Sequence, residues 1–207
     1  MEQQKQINSI KAWLGTGSIN LFGLLLSGKD TQGARLGELL EAPMFGGGEI
    51  IRSSARDDVK EIIGTGALAP TDAYLELVLP YFKKPAFKGK PLILSSVGKW
   101  AGEEDSILTA AETSGHPIKA VILINVSEQE ILKRWQALQE DDDRGHRTDD
   151  RQEALAVRFN EFASKTQPVI EHYRQLGLLI EVNGEQSRED VTEEIVRKLY
   201  EKARQNS

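Results

Sequence analysis

The sequence predicts a three-layer α/β/α domain built on a five-stranded parallel sheet. Short apolar runs of strand length recur at 18–22, 91–94, 120–126 and 178–182, with a further short one at 42–45. Helical patterns separate them, and buried strands that alternate with helices form parallel sheets covered on both faces. The chain of 207 residues is long enough for one well-buried core and short for two domains.

Residues 1–17 read as an N-terminal helical extension ahead of a main domain at 18–207. Ile10, Trp13 and Leu14 share one side, and Gly15 and Gly17 end the pattern. A surface helix is expected, laid on the domain or on a partner. Ser18-Ile19-Asn20-Leu21-Phe22 supplies the first buried strand. The glycine-bearing stretch Gly23-Leu24-Leu25-Leu26-Ser27-Gly28-Lys29 follows, then a helix over 31–41 with Leu36, Leu39 and Leu40 on one side. Further helices are expected at 71–82, 103–114, 128–139, 151–175 and 189–203. The run at 120–126, rich in β-branched residues, is the strongest strand signal. The least regular stretch is 139–150, where eight of twelve residues are charged; it reads as a solvated loop or a mobile lid.

Composition narrows the function. The formal net charge of -6 argues against nucleic acid as a partner, because duplex binding needs cations to displace counterions. The absence of cysteine excludes disulfides, zinc–thiolate sites and thiol catalysis. His116, His146 and His172 form no ligand pair at helical spacing, so no zinc is expected. Residues 1–17 are too polar for a signal peptide and no apolar run reaches the ~18 residues of a membrane span. A cytoplasmic monomer without membrane contact is expected.

Gly23-x-x-x-x-Gly28-Lys29 fits the phosphate-binding P-loop pattern, placed between a strand and a helix as that pattern requires. Glycines let backbone N–H groups turn onto phosphates, and the helix start adds its positive dipole end. Lys29 supplies a mobile charge, and the hydroxyl of Thr31 supports magnesium. Two residues fit less well. Leu26 stands where a further glycine would help the loop approach phosphate, and Asp30 places a carboxylate beside a site for polyanions.

Gly28-Lys29-Asp30-Thr31-Gln32 resembles the Gly-Lys-Gly-Thr-Gln segment of adenylate kinases. The resemblance continues in order from about Ser18 to Leu199. Gly46-Gly47-Gly48-Glu49-Ile50-Ile51-Arg52 resembles the family's Ser-Thr-Gly-Asp-x-Leu-Arg segment, and Gly66-Ala67-Leu68-Ala69-Pro70 its Gly-x-Leu-Val-Pro turn. Arg147-x-Asp149-Asp150 with Arg158 resembles its two clamp arginines. Lys165-Thr166-x-Pro168 and Val182-Asn183-Gly184 resemble its closing helix and last strand. This implies nucleoside monophosphate kinase activity, with Mg2+-bound ATP as donor and a nucleoside monophosphate as acceptor. Gly23, Leu26, Ser27, Gly28, Lys29, Asp30, Thr31, Arg134 and Gly184 would form the ATP side, with Arg134 stacked on the adenine and Thr31 reaching the metal indirectly. Gly47, Arg52, Ala67, Leu68, Ala69, Lys99, Glu103, Arg147 and Arg158 would form the acceptor side. Lys29, Lys99, Arg147 and Arg158 would act on the transferring group. The segment 46–71 would close on the acceptor and a short lid at 139–150 on the donor.

The chain also departs from the family pattern. Where the family has Asp-Gly-Phe-Pro-Arg, it reads Ser95-Ser96-Val97-Gly98-Lys99. The magnesium-associated aspartate becomes Ser95. The phosphate-binding arginine becomes Lys99, which keeps the charge without the two-pronged grip. A glutamine that reads the acceptor base falls at Glu103, which is either a reader of a donating base edge such as guanine's or a plain helix-end carboxylate. A threonine falls at Gly47, and a lid arginine near Leu138, with Arg144 in reach from the lid. Two other functions therefore stay open: a nucleotide-binding protein with little or no turnover, and a P-loop kinase with a different acceptor.

Overall fold

The computed structural model describes residues 2–140 and 152–205. The expected lid, with Arg144, Arg147, Asp149 and Asp150, lies mostly outside the described residues.

Five parallel strands, β1 (Ser18–Phe22), β2 (Met44–Gly46), β3 (Leu92–Ser95), β4 (Ile118–Asn125) and β5 (Leu179–Asn183), form one sheet in the order β2-β3-β1-β4-β5. The helices are α1 (Glu2–Leu14), α2 (Lys29–Leu40), α3 (Gly47–Ser53), α4 (Asp57–Gly64), α5 (Thr71–Val78), α6 (Glu103–Thr113), α7 (Glu128–Glu140), α8 (Gln152–Glu161), α9 (Gln167–Gln175) and α10 (Arg188–Gln205). Every residue of β1 and β3 is buried, as central parallel strands require.

Alternation along the strands sorts side chains into two cores. Phe22, Leu92, Leu94, Val121 and Leu123 pack with Phe45, Val78, Phe82, Ile107, Ile170 and Tyr173 on one face. Ile19, Leu21, Ile93, Ile122 and Ile124 pack with Leu36, Leu40, Ile195 and Leu199 on the other. The helix α1 is laid on the domain, the first of the two placements expected for it. Ile7, Ile10 and Leu14 of α1 belong to this second core, at 6%, 1% and 0% exposure. The helix lies against α10 and α2, and Lys119 Nζ ties down its C-terminal end by donating to the Trp13 carbonyl at 2.6 Å.

Two helices differ from their patterns because of proline, which lacks an N–H and crowds the preceding turn. The pattern over 71–82 stops at Val78, where a 3-10 turn Leu79–Lys83 with Pro80 in its first positions takes over. The pattern over 151–175 is interrupted by a π turn at Phe162–Thr166, just before Pro168. The helices α3 and α4 were not legible in the sequence.

Candidate functional site

The site is built where β1 runs into α2, at the carboxyl end of the central strand. Ligands gather there in open parallel sheets because neighbouring connections diverge. Gly28, the residue before α2, has φ +90, which a side chain tolerates poorly. A Cβ on Gly23 would lie 2.5 Å from Ser27 Oγ and 2.9 Å from the Ile124 carbonyl, so the loop folds tightly on itself. Leu26, the residue that fits the pattern least well, has φ +56, a left-handed conformation rare outside glycine. The buried Ser27 Oγ has no hydrogen-bond partner among the described residues. Lys29 opens α2, and no side chain caps that helix start, which leaves first-turn N–H groups facing the loop.

Arg134 of α7 braces the loop. Its guanidinium donates to the Leu26 carbonyl at 3.1 Å, the Gly184 carbonyl at 2.8 Å and Glu130 Oε1 at 3.0 Å. Gly184 follows β5, and a Cβ there would meet Ile124 Cγ2 and Val126 Cγ2 at 2.5 Å. Glycine is therefore required for this carbonyl to come within reach.

The loop after β3 runs beside the phosphate loop. Buried Asn20 of β1 grips Val97 by both backbone groups: its Nδ2 donates to the carbonyl at 2.7 Å and its Oδ1 accepts from the N–H at 3.3 Å. Tyr74 Oη accepts from Gly98 N–H at 2.9 Å. Glu103 Oε2 accepts from Lys99 N–H at 2.9 Å and Trp100 N–H at 3.1 Å, so Glu103 holds its own loop as a helix-end carboxylate does. Burial pushes the Glu103 carboxyl up to about 7, outweighing those N–H bonds and the charge of Lys99. Burial also pushes Lys99 down to about 8, and the nearby charges of Lys29 and Arg158 add to it. Lys29, Lys99 and Arg158 are thus gathered in one cleft with Asp30 and Glu103.

The segment 46–71 flanks this cleft. Gly47 starts α3 under Tyr74, and a Cβ on it would lie 2.4 Å from Tyr74 Oη. The space of the threonine implied by the resemblance is filled from α5. Arg52 is exposed in the last turn of α3. Ala67 is half-buried and Ala69 buried, and Leu68 N–H donates to Glu161 Oε2 of α8 at 2.9 Å. The same carboxylate oxygen accepts from Lys165 Nζ at 2.8 Å, and Lys165 lies 3.8 Å over the Trp100 ring. A Cβ on Gly66 would lie 2.7 Å from the Ala154 carbonyl. The turn that resembles an acceptor-binding segment is therefore clasped to the helix that carries Arg158. Arg147 lies outside the described residues.

Sequence reasoning missed Asn20, Tyr74 and Glu161. Asn20 had a signal, being an amide inside an apolar run. Tyr74 and Glu161 had none, since their partners lie 24 and 93 residues away.

A glycine-bearing loop between the central strand and the next helix of a five-stranded parallel sheet defines a P-loop α/β protein. No protein-family model matches the chain. It is similar to the adenylate kinases of Azobacteroides pseudotrichonymphae (30% identity over 88% of this chain and 96% of the relative), Kosmotoga olearia (28%, over 88% and 98%) and Methanosarcina barkeri (24%, over 86% and 96%). The chain belongs to the adenylate kinase family, a family of phosphotransferases.

Proposed function

We propose that the chain catalyses reversible, magnesium-dependent phosphoryl transfer from ATP to AMP or a related nucleoside monophosphate. The observation that carries this reading is the convergence of Lys29, Lys99 and Arg158 beside the phosphate loop. Phosphoryl transfer needs in-line positioning and charge neutralisation more than acid–base chemistry, and three cations in one cleft supply both.

On the donor side, the backbone of the loop from Gly23 to Gly28, with the unpartnered Ser27 hydroxyl, receives the phosphates, and Lys29 follows the transferring group. Arg134 makes its hydrogen bonds in the plane of the guanidinium, so its faces serve for stacking on the base. On the acceptor side, Arg52 takes the α-phosphate, the backbone at 67–69 frames the nucleoside, and Lys99 and Arg158 draw the two substrates together with Arg147. Closure of 46–71 and of the 139–150 lid excludes water and so limits hydrolysis.

The donors around the loop suit a hard cation. Among the described residues no group of three or more His, Asp or Glu gathers. Magnesium is commonly held by one or two protein oxygens together with substrate phosphates; here the Thr31 hydroxyl would support it indirectly. When bound, the metal offsets charge on the phosphate oxygens.

The test is a coupled assay for diphosphate formation from ATP with a panel of nucleoside monophosphates. Diphosphate formed with one or more acceptors supports the reading, and none with any acceptor overturns it. A second reading, nucleotide binding with weak turnover, is favoured by Lys99 standing where the resembling pattern has an arginine, which keeps the charge without the two-pronged grip. Calorimetric ATP binding without diphosphate formation would establish it.

A further inference from the structure

We propose that Asp30 is the carboxylate that faces the divalent cation of the bound triphosphate, and that Ser95 is its positioning residue. This rests on the nucleotide reading of the phosphate loop. Asp30 stands in the first turn of α2, between Lys29 and Thr31. A carboxylate there repels a polyphosphate, and the repulsion strengthens as the cleft closes and water leaves. A cation between the two makes the arrangement favourable.

The side chain does not turn away from the strand edge. Ser95 Oγ, buried at the carboxyl end of β3, donates to Asp30 Oδ1 at 2.5 Å. The other oxygen, Oδ2, lies 3.8 Å from Lys29 Nζ, and the Asp30 side chain keeps 64% of its surface open to solvent. One oxygen is therefore fixed and the other is presented beside the lysine that follows phosphate. Without nucleotide, Lys29 partly answers the Asp30 charge. With nucleotide, Lys29 moves to phosphate and the cation takes its place at the carboxylate. Against the pattern the chain resembles, the acid has moved: the strand end offers a hydroxyl in place of the aspartate, and the facing helix offers the acid in place of a glycine.

This arrangement makes an unusual demand on affinity. Asp30 weakens binding of metal-free triphosphate and strengthens binding of the metal complex. The test uses the full chain and the β,γ-imido analogue of ATP, titrated calorimetrically in EDTA and in Mg2+. Mn2+ affinity of the protein–analogue complex is followed in parallel by electron paramagnetic resonance. Asp30→Asn is expected to bind the analogue more tightly in EDTA, yet to lose about tenfold or more in Mn2+ affinity, the usual scale for a group supporting a metal site. The exchanged pair Asp30→Gly with Ser95→Asp is expected to recover Mn2+ affinity to within about threefold of the parent, on that same scale, while Asp30→Gly alone does not. Melting temperatures confirm that each variant is folded. Unchanged Mn2+ affinity in Asp30→Asn, or no recovery in the exchanged pair, overturns the proposal alone. Failure of the parent chain to bind the analogue in either condition overturns the nucleotide reading and this proposal with it.

Discussion

Lys99 shows what it costs to bury a cation beside others. Its backbone N–H is held by Glu103, and burial first, then the charges of Lys29 and Arg158, bring its pKa down to about 8. If these cations act on the transferring group, Lys29→Ala and Arg158→Ala each abolish diphosphate formation. Their melting temperatures change little, because neither side chain is part of an apolar core; steady-state kinetics and calorimetric melting check both.

Glu103 carries a second residue-scale consequence. Its folded value of about 7 lies above the ordinary carboxylate value. Its contribution to stability is therefore fully present below about pH 4.5 and is lost as pH rises through 7. A tenfold change in proton affinity is worth about 1.4 kcal/mol, so the loss is on the order of 3 kcal/mol. Glu103→Gln keeps an oxygen for both N–H groups and cannot titrate. Urea midpoints between pH 4.5 and 7.5 are expected to fall for the parent chain and to flatten for the variant.

The phosphate-loop pattern was legible because its residues are contiguous, whereas Lys99 and Arg158 were named beside it only through the resemblance. The Asp30–Ser95 bond was not legible, since it joins residues 65 apart. Neither was the two-sided grip of Asn20 on Val97, although an amide in an apolar strand marks the place where such a partner must exist.

Among the elements, the strands were the easiest to read. Burial on both faces leaves largely apolar runs at β1, β3 and β4, β5 alternates buried with exposed residues, and the five runs became the five strands within two residues of their expected ends. The short helices α3 and α4 were hidden for the opposite reason. Their seven and eight residues hold too few turns to show a period, and α3 opens on two glycines that disfavour a helix. Tyr74 explains that opening: it leaves no room for a side chain at Gly47. Gly47→Thr is therefore expected to destabilise the protein by about 1–3 kcal/mol, the usual penalty for overpacking. Adding Tyr74→Leu is expected to recover part of the loss in denaturant melts. Full stability of Gly47→Thr alone would show that Tyr74 moves aside freely.

At the scale of the molecule, the sheet separates two cores that share strands but not faces. Leu14 and Ile107 are both fully buried, one in each core. Leu14→Ala and Ile107→Ala are each expected to cost about 2–5 kcal/mol. Because they lie on opposite sides of the sheet, their effects should add to within about 0.5 kcal/mol. Chemical denaturation of the two single variants and the double variant measures this, and a larger departure would mean that strain crosses the sheet.

The seating of α1 against α10 has a consequence for how the protein is made. Synthesis delivers α1 before α10, and domains fold as the chain emerges. The phosphate loop and the strands around it can assemble while α10 is still in the ribosome. Over that interval Ile7, Ile10 and Leu14 lack the solvent-averse cover they will later share with α10. A nascent chain stalled before residue 188 would therefore carry a sticky amphipathic segment at 2–14, a ready client for chaperones that recognise short apolar helices. Release of that client would coincide with arrival of α10 rather than with formation of the nucleotide cleft.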